Sequence, residues 1–515
     1  MNSYLELVKE FCDRVLAEGR LDNPPLFADG INIVTKEYLK WCHRDHQQQI
    51  ASSNLGNQQN LLRTLVGLSR FTGESKYSEA AEETLSYHFN VLQDPGGLLQ
   101  WGGHRGINLD NLQIVGFSGL VHELKDILPF YEVMFKVNPE AAAKFVRGFW
   151  HAHVNDWAHL EISRHGQYGQ VPTEDLWTQD FVDPEPFRAT LGLSFLSAGN
   201  DLIYAAAALY KYTQDQGAWL WCNRLANMYY KARHPETNLG VYQYTQPIKQ
   251  MEPGPNDNFF SCFGDRAQRQ FGPELGPDAL EGYMIFRSQA VSIYVKHGLM
   301  QLEVAEMLEE QGRLYLEGVL AGMLAYQKYA YIPETNMLKP LLANGRDLSG
   351  FVLQRDGYYG RKGRVFEQFP ADPCFFSAWA RAFSLTKEIK LWSMLSGMAK
   401  AFSLGNWGAN PEKPEEINQV TPAKDPQIIF GLIDVWQATG NVQYLELAKQ
   451  VADNLIKAEY RLGYFVPQEQ DIAYFDHLTP LALLSLAAAL ENQHHLIPKF
   501  IGGVGSAHWS FHYVR

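Results

Sequence analysis

The segment at residues 163–169, SRHGQYG, puts the guanidinium of Arg164 directly beside the imidazole of His165. Two glycines follow closely, and glycines at that density indicate a turn in which the backbone approaches another group. An imidazole beside a permanent cation can bind a metal ion or move a proton when other parts of the chain complete the site. The segment therefore predicts a functional site whose partners lie elsewhere in the sequence.

Two candidate partners lie upstream of this segment. His104 occupies a glycine-rich turn within LQWGGHRGINLD, and Glu123 lies early in a predicted helix within SGLVHELKDILPFYEVM. Two imidazoles and one carboxylate are a suitable ligand set for a divalent transition metal that keeps open coordination positions. Because the three residues are far apart in sequence, only tertiary folding can assemble them. For each histidine alone, a hydrogen-bonded loop residue is the competing interpretation.

A second group of histidines competes for the same role. His151 and His153 lie two residues apart in a helix-like run, FWHAHVNDWAH. Side chains two apart on a helix point to nearly opposite sides, so these two cannot bind one ion together. One of them is instead a candidate for supporting the site from behind.

Cationic and aromatic residues in the long loops are candidates for binding an acidic ligand. Two arginines three apart in DRAQRQF can share a helical face, QRDGYYGRKGR combines charge with rings that can stack on sugars, and two further residues flank His104. Solvated loop charges and core packing are the competing interpretations. The candidates are Trp101, Arg105, Arg266, Arg269, Tyr358, Arg361 and Lys362.

Composition excludes several classes of protein. The chain has 515 residues, 46% hydrophobic and 20% charged, which is typical of a globular protein. Its net charge of -13 argues against nucleic acid as a partner, and no apolar run is long enough to span a membrane. The first residues form an amphipathic helix without the pattern of a signal peptide, and five scattered cysteines are typical of reduced thiols. These features predict a cytoplasmic location.

A repeated pattern predicts the fold. Residues 68–89 and 434–455 both contain a helix, Thr-Gly, a few polar residues, a tyrosine and a second helix, and residues 209–226 and 382–399 are degenerate copies. The glycine suits the left-handed end of the first helix, and the tyrosine packs the second helix onto the first. Such hairpins cannot bury their apolar faces alone, so the repetition indicates stacking.

The length and the helix spacing fit an all-α chain built as an (α/α) toroid of six or seven hairpins. We expect one catalytic domain, residues 1–515, with long loops at 93–116, 163–191, 233–277 and 331–370 on one rim. An open α-solenoid is the alternative, although its repeats would be more uniform in length.

The runs WGGHRG, HELKDILPFYEVM, SRHGQYG and FGDRAQRQFGPELGP together resemble the family two polysaccharide lyases. The resemblance implies an (α/α)7 barrel and a pectate lyase with a transition-metal cofactor, most often manganese. By motif it implies that His104, Glu123 and His165 bind the metal and that Arg164, directly before the last ligand, is the catalytic base. It is concentrated in residues 95–285.

The implied reaction is β-elimination on α-1,4-linked galacturonate. The proton on C5 is removed and the oxygen on C4 leaves, while a divalent cation stabilises the charge that develops beside the substrate carboxylate. Locally concentrated positive charge would also let an acidic protein hold an acidic oligosaccharide. A cytoplasmic enzyme would act on short oligogalacturonates and release unsaturated digalacturonate. Anchoring the carboxylate is the alternative role for Arg164.

Three other functions remain open from the residues alone. A metal-free sugar epimerase or isomerase on an (α/α) barrel would use two histidines as acid and base. A glycoside hydrolase of the same architecture would need two facing carboxylates, for which Asp201 and Asp265 are candidates. A helical scaffold without activity is the last, and the glycine-rich, charge-rich loops argue against it.

Overall fold

The computed structural model describes residues 3–43, 49–102, 105–116, 121–190, 192–247, 266–503 and 511–513. The chain is mostly helical. The α-helices in these ranges are α1 (Ser3–Glu18), α2 (Gln59–Thr72), α3 (Ser75–Tyr87), α4 (Tyr131–Val137), α5 (Pro139–His153), α6 (Leu196–Thr213), α7 (Gln216–Ala232), α8 (Arg266–Leu275), α9 (Arg287–Ala290), α10 (His297–Leu308), α11 (Arg313–Ala330), α12 (Pro373–Thr386), α13 (Trp392–Ala401), α14 (Pro426–Thr439), α15 (Gln443–Glu459) and α16 (Leu478–Leu490).

The strands are short. They are β1 (Gly30–Asn32), β2 (Lys40–His43), β3 (Gln49–Ser53), β4 (Arg105–Asn108), β5 (Ile114–Gly116), β6 (Val121–Glu123), β7 (Val154–Asp156), β8 (Glu161–Ile162), β9 (His165–Gln167), β10 (Ser194–Phe195), β11 (Gln243–Tyr244), β12 (Met284–Ile285), β13 (Tyr331–Ile332), β14 (Met337–Leu338), β15 (Leu341–Leu342), β16 (Phe369–Pro370), β17 (Tyr460–Arg461), β18 (Tyr464–Phe465), β19 (Ile472–Tyr474) and β20 (Phe511–Tyr513). Strands of two to five residues are too short to show a clear alternation of polar and apolar side chains, so sequence analysis underestimated their number.

The chain divides into two compact units. The first unit comprises Met1–Ala152, His165–Glu174 and Phe402–Arg515, and the second comprises His153–Arg164 and Asp175–Ala401. In the first unit α16 packs against α1, α2 and α14. The same unit contains a five-stranded sheet in the order β20-β2-β3-β4-β5. Strand β1 pairs antiparallel with β19, with Asn32 opposite Ile472. In the second unit α10 packs against α6, α11 and α12.

The predicted hairpins are present, and one local structure closes all four. The helix pairs are α2 with α3, α6 with α7, α12 with α13, and α14 with α15. Each first helix ends in a threonine whose hydroxyl donates to the carbonyl four residues earlier, at 2.7–2.8 Å. The next residue has a left-handed backbone in every case: Gly73, Gln214, Lys387 and Gly440.

The buried tyrosines and the first helix also follow the sequence pattern. Tyr77 and Tyr444, the tyrosines of the two clear repeats, are both completely buried. Helix α1 buries Tyr4, Val8 and Phe11 on one face, as its periodicity predicts. None of the described helices has both the length and the apolar character needed to cross a lipid bilayer. The helical-hairpin plan is thus confirmed, whereas closure into a ring of six or seven hairpins and the single domain 1–515 stay predictions.

Candidate metal and substrate site

Strand pairing in the first unit brings two of the predicted metal ligands together. Strands β6 and β9 are antiparallel, and their register places Glu123 opposite His165. The Oε1 atom of Glu123 lies 3.7 Å from Nε2 of His165, and the side chains are 1% and 41% exposed. The prediction that Glu123 lies in a helix is wrong, because the residue ends a strand whose hydrogen bonds come from the distant β9.

The third predicted ligand, His104, lies outside the described residues, but the residues on both sides of it are tightly held. The Nδ2 amide of the buried Asn54 donates to the carbonyl oxygens of Gly102 at 2.8 Å and Arg105 at 3.0 Å. Its Oδ1 accepts hydrogen bonds from the backbone amides of Gly102 and Gly56. One asparagine therefore fixes the backbone before and after the predicted ligand.

The donors that the structure describes suit a divalent transition metal. Adjacent ligands of an octahedral ion with bonds of about 2.1 Å lie about 3 Å apart, and the 3.7 Å between Glu123 and His165 is close to this value. Among the described residues no group of three His, Cys, Asp or Glu side chains is placed to hold a metal. A complete site therefore needs a ligand such as His104. Lys125 Nζ, 3.9 Å from Oε1 of Glu123, is a competing partner for the carboxylate.

Trp101 and Arg105, predicted to contact substrate, have different environments. Trp101 is completely buried, and its indole Nε1 donates to Nε2 of the buried His122 at 2.5 Å. It therefore supports the segment from within the core. The guanidinium of Arg105 lies over the ring of Tyr168, 4.6 Å from its centroid, and Arg105 Nε has no acceptor in the part of the chain that the structure describes.

Arg164 belongs to the second unit, which the chain leaves at the peptide bond to His165. Its half-buried guanidinium lies 5.9 Å from the ring centroid of Phe195. Burial raises the pKa of Tyr242, and the positive charges of Arg266 and Arg164 oppose that rise.

Of the two neighbouring histidines His151 and His153, the second supports the backbone just before Arg164. His153 Nδ1 makes a hydrogen bond of 2.8 Å with the carbonyl oxygen of Ser163.

Arg266 is held by an acidic partner that the sequence did not indicate. Its Nε and a terminal nitrogen donate to Oε1 of Glu281 at 3.1 and 2.7 Å, and its guanidinium lies 3.4 Å from the ring centroid of Tyr358. Burial would lower the pKa of Arg266, but the Glu281 carboxylate more than offsets this and the pKa lies above its usual value. Arg266 is 6% exposed and Tyr358 is 50% exposed, so the ring offers the open surface.

The loop that carries Tyr358 is pinned to α8. The side-chain nitrogen of Gln270, Nε2, donates to the carbonyl oxygens of Arg355 and Gly360. Its Oε1 accepts a hydrogen bond from the backbone amide of Tyr359 at 2.9 Å. Arg361 and Lys362 lie on the exposed part of this loop, and Arg269 is half-buried on α8.

The two carboxylates considered for a hydrolase do not form a described pair. Asp201 is completely buried within α6, and Asp265 lies outside the described residues.

Several supporting residues were missed by sequence reasoning. Lys125 is two residues from Glu123 in the HELK motif, so the sequence alone could have indicated that its amine competes for the carboxylate. His122 is the first residue of the same motif, but its contact with Trp101 depends on burial. Asn54 and Glu281 act through contacts with residues distant in sequence, and no local pattern marks them.

Comparison with known proteins identifies the family. Residues 24–510 match a family model described as periplasmic pectate lyase. The chain belongs to this pectate lyase family. It is also 34% identical to a pectate disaccharide-lyase of Dickeya dadantii (strain 3937), over 99% of this chain and 92% of that protein. The resemblance to polysaccharide lyases in the sequence motifs is therefore confirmed, and the protein is a polysaccharide lyase with an acidic polysaccharide substrate.

The solved structures that match this chain are less similar to it than the Dickeya relative is. A GH76 α-mannanase of Bacteroides thetaiotaomicron matches with a TM-score of 0.44 at 11% identity, over 95% of this chain and 96% of that one. A sugar epimerase from a ruminal bacterium also matches with a TM-score of 0.44 at 11% identity, over 95% and 99% of the two chains. Similarity at this level carries no argument about function.

The family corrects the predicted location. A cytoplasmic protein was expected, but the matching pectate lyase family is described as periplasmic, and the prediction is wrong. The buried thiols of Cys12 and Cys222 are shielded by the fold, so the absence of a cysteine pattern does not identify a reducing compartment.

Proposed function

We propose that this chain is a metal-dependent, exo-acting pectate lyase that cleaves α-1,4-galacturonosyl links by β-elimination and releases unsaturated digalacturonate. The observation that carries the proposal is the register of β6 and β9, which pairs Glu123 with His165 immediately after Arg164 in a member of the pectate lyase family. The exo action is supported by the name of the Dickeya relative, a pectate disaccharide-lyase.

His104, Glu123 and His165 are the proposed ligands of a divalent metal. Imidazole and carboxylate donors together suit several first-row ions, and manganese is the one we propose. When bound, the ion supplies positive charge that stabilises the substrate carboxylate as negative charge develops beside C5. Asn54 orients the backbone around His104, and Glu123 is held in place by burial and by the β6–β9 ladder.

Arg164 is the proposed base that accepts the C5 proton. Guanidinium groups have pKa values above about 12, so a guanidine base requires surroundings in which other positive charges disfavour the cation. Arg266 and Arg164 both oppose the rise in the pKa of Tyr242, whereas the Glu281 carboxylate that pairs with Arg266 contributes to it. If Arg164 instead only anchors a carboxylate, Arg164→Lys should retain most of kcat, whereas a base role predicts a large fall in kcat with little change in KM.

Arg105, Arg269, Arg361 and Lys362 are proposed to bind the carboxylates of the oligosaccharide. For Arg105 the support is the position of its guanidinium, which lies 4.6 Å from the ring centroid of Tyr168. The exposed ring of Tyr358 is proposed to stack on a sugar face, with Arg266 and Glu281 holding the ring in place from beneath.

The central experiment measures the ultraviolet absorbance of the 4,5-unsaturated product formed from polygalacturonate. We expect turnover that a chelator abolishes and that added Mn²⁺ restores. Glu123→Gln, His165→Ala and His104→Ala should each lower both metal content, measured by mass spectrometry, and turnover by at least about 100-fold. His159→Ala is the matched control, because His159 is also a half-buried histidine beside a carboxylate, Asp156.

Turnover that survives complete removal of metal would overturn the metal-dependent mechanism. Reducing sugar formed without ultraviolet absorbance would indicate hydrolysis instead of elimination. Chromatography of early products tests the mode of action: accumulation of unsaturated dimers alone supports exo cleavage, and a ladder of longer fragments contradicts it.

A further inference from the structure

The first unit contains a cavity of about 420 Å³ that no step of the proposed reaction uses. Three helices begin at its wall: α2 near Asn60, α14 after Asp425, and α16 after His477. Helix N-termini usually attract anions, because their first amides lack partners within the helix. In this cavity, side chains of the protein itself accept hydrogen bonds from those amides.

Side chains on the wall accept from the amides at these helix ends: carboxylates at α2 and α14, and Nδ1 of His477 at α16, which accepts from the amide of Thr479 at 3.3 Å. Asp476 accepts hydrogen bonds from the amides of Asn60 and Leu61 at the start of α2, at 2.6 and 3.1 Å. Asp425 accepts from the amide of Gln427 at the start of α14, at 2.8 Å. A further carboxylate on the wall, Asp29, accepts from the amide of Asn54 at 2.9 Å. The wall is therefore rich in carboxyl groups, and one or two first-turn amides of each helix already have a side-chain acceptor.

The cavity also has aromatic and polar surfaces arranged for a ligand. Trp41 and Tyr474 form part of its wall, with ring centroids 6.1 Å apart and planes inclined at 45°. Glu459 projects a carboxylate that accepts from Thr479 at 2.9 Å. Asn60, also on this wall, donates from Nδ2 to Oδ2 of Asp476 at 3.1 Å.

We propose that this cavity binds a neutral, hydroxyl-rich sugar unit. Sugar hydroxyls donate to carboxylates and amide oxygens while the apolar face of the ring packs on aromatic side chains. The volume lies within the range of about 300–1,000 Å³ that is usual for small-molecule sites. A uronate is disfavoured because the described residues that line the cavity include no Lys or Arg to pair with its carboxylate.

Other ligand classes fit less well. The described residues include no group of three side chains that could hold a metal, so these acids are not a metal site by the geometry described. An organic cation is disfavoured because Asp29 and Asp476 already receive several hydrogen bonds, and because burial raises the pKa of both groups to about 7, which weakens their negative charge at neutral pH. The proposal concerns a second site and does not depend on the proposed lyase activity.

The test uses calorimetry on the full chain with three probes: methyl α-D-galactopyranoside, galacturonate and spermidine. The first two differ mainly in having a hydroxymethyl group or a carboxylate on C5. We expect the galactoside to bind in the millimolar range, with about fivefold weaker binding in Tyr474→Leu and in Glu459→Gln. Tyr212→Leu and Glu446→Gln, which change an exposed tyrosine and an exposed glutamate outside the cavity, should bind as the unmodified chain does.

Polygalacturonate turnover should be unchanged in the cavity variants, so a failed binding result is distinct from a failed lyase assay. Circular dichroism checks that each variant is folded. If either Tyr474→Leu or Glu459→Gln does not fold, the binding result of the other variant decides the test. The proposal is overturned if the galactoside does not bind to the unmodified chain. It is also overturned if binding is equal in all variants, or if galacturonate or spermidine binds with the same dependence on Tyr474 and Glu459.

Discussion

The side-chain amide of Asn54 donates a 2.8 Å hydrogen bond to the carbonyl oxygen of Gly102. The same nitrogen donates to Arg105, so the two residues that bracket positions 103 and 104 are tied to one buried side chain. Asn54 is 1% exposed, and it is itself held by the Asp29 carboxylate through its backbone amide. The backbone near a proposed metal ligand is thus positioned from the core.

Replacing Asn54 tests that positioning. We expect Asn54→Ala to weaken manganese binding by about 10-fold to 100-fold, because groups that orient ligands commonly have effects of this size. The measurement is a manganese titration followed by calorimetry, with turnover measured in parallel at low and high manganese. Saturating metal should recover part of kcat.

Asn441→Ala is the matched control for this variant. Asn441 also donates from its side-chain amide to a backbone carbonyl, that of Glu412 at 3.1 Å, but on an exposed part of the chain. A manganese affinity that is the same in the Asn54 variant and in the control would contradict the positioning role.

The buried ion pair of Arg266 with Glu281 predicts strong coupling between the two residues. Glu281 is completely buried, so Glu281→Gln leaves the guanidinium without its counter-charge and should lower the free energy of unfolding by about 3 kcal/mol. Arg266→Met should also destabilise the protein. The double variant should be more stable than the sum of the two losses predicts, by at least about 1 kcal/mol. Denaturant unfolding of all four proteins measures this, and additive losses would rule out the coupling.

The hairpin ends allow a test of backbone conformation without a change in packing. Gly73 has a φ of 77°, and a Cβ placed there would meet no atom within 4 Å. Gly73→Ala should therefore cost about 1 kcal/mol through the left-handed backbone alone. Lys387→Gly makes the opposite change at a φ of 54° and should leave stability unchanged or slightly raised. Thermal unfolding compares the two, and a neutral Gly73→Ala variant would contradict the conformational explanation.

A buried histidine predicts sensitivity to acid. His88 is completely buried, its ring nitrogens have no partner among the described residues, and burial lowers its pKa to about 3. The unfolded chain takes up this proton near pH 6.5, so between about pH 6.5 and 3 it binds more protons than the folded chain and stability falls as the pH falls. His88→Leu should remove about 1.4 kcal/mol per pH unit from that slope.

The measurement for His88 is the free energy of unfolding in denaturant at several pH values. Asp29 and Asp476, whose pKa values burial raises to about 7, act in the opposite direction, since their buried charge makes the fold less stable as the pH rises from about 4 to 7. The comparison of the variant with the unmodified chain cancels these contributions. Parallel pH profiles of the two proteins would contradict the role of His88.

The parts of the fold that depend on local chemistry could be predicted from the sequence. Thr-Gly before a tyrosine marks the end of one helix and the packing of the next, and those hairpins are present. Gln214 and Lys387 close equivalent hairpins without glycine, and these copies were recognised only as degenerate. The short strands were missed, because their pairing partners lie far away in sequence.

The candidate site shows the same division. Arg164, Glu123 and His165 were found from residue types and from the resemblance to known lyases, and the structure pairs two of them. The strand that carries Glu123 was mistaken for a helix, because three residues give no reliable periodicity. Trp101 was considered for substrate contact, whereas its buried indole donates to His122, and burial of this kind depends on tertiary packing.

The pairing of β1 with β19 has a consequence for the order in which the protein forms on the ribosome. Asn32 pairs with Ile472, and α1 packs against α16, so early and late parts of the chain must both be present before those contacts exist. The second unit ends at Ala401 and can gather its helices while α14, α15 and α16 are still being made. The unit that contains Glu123 and His165 is therefore the last to be completed during translation.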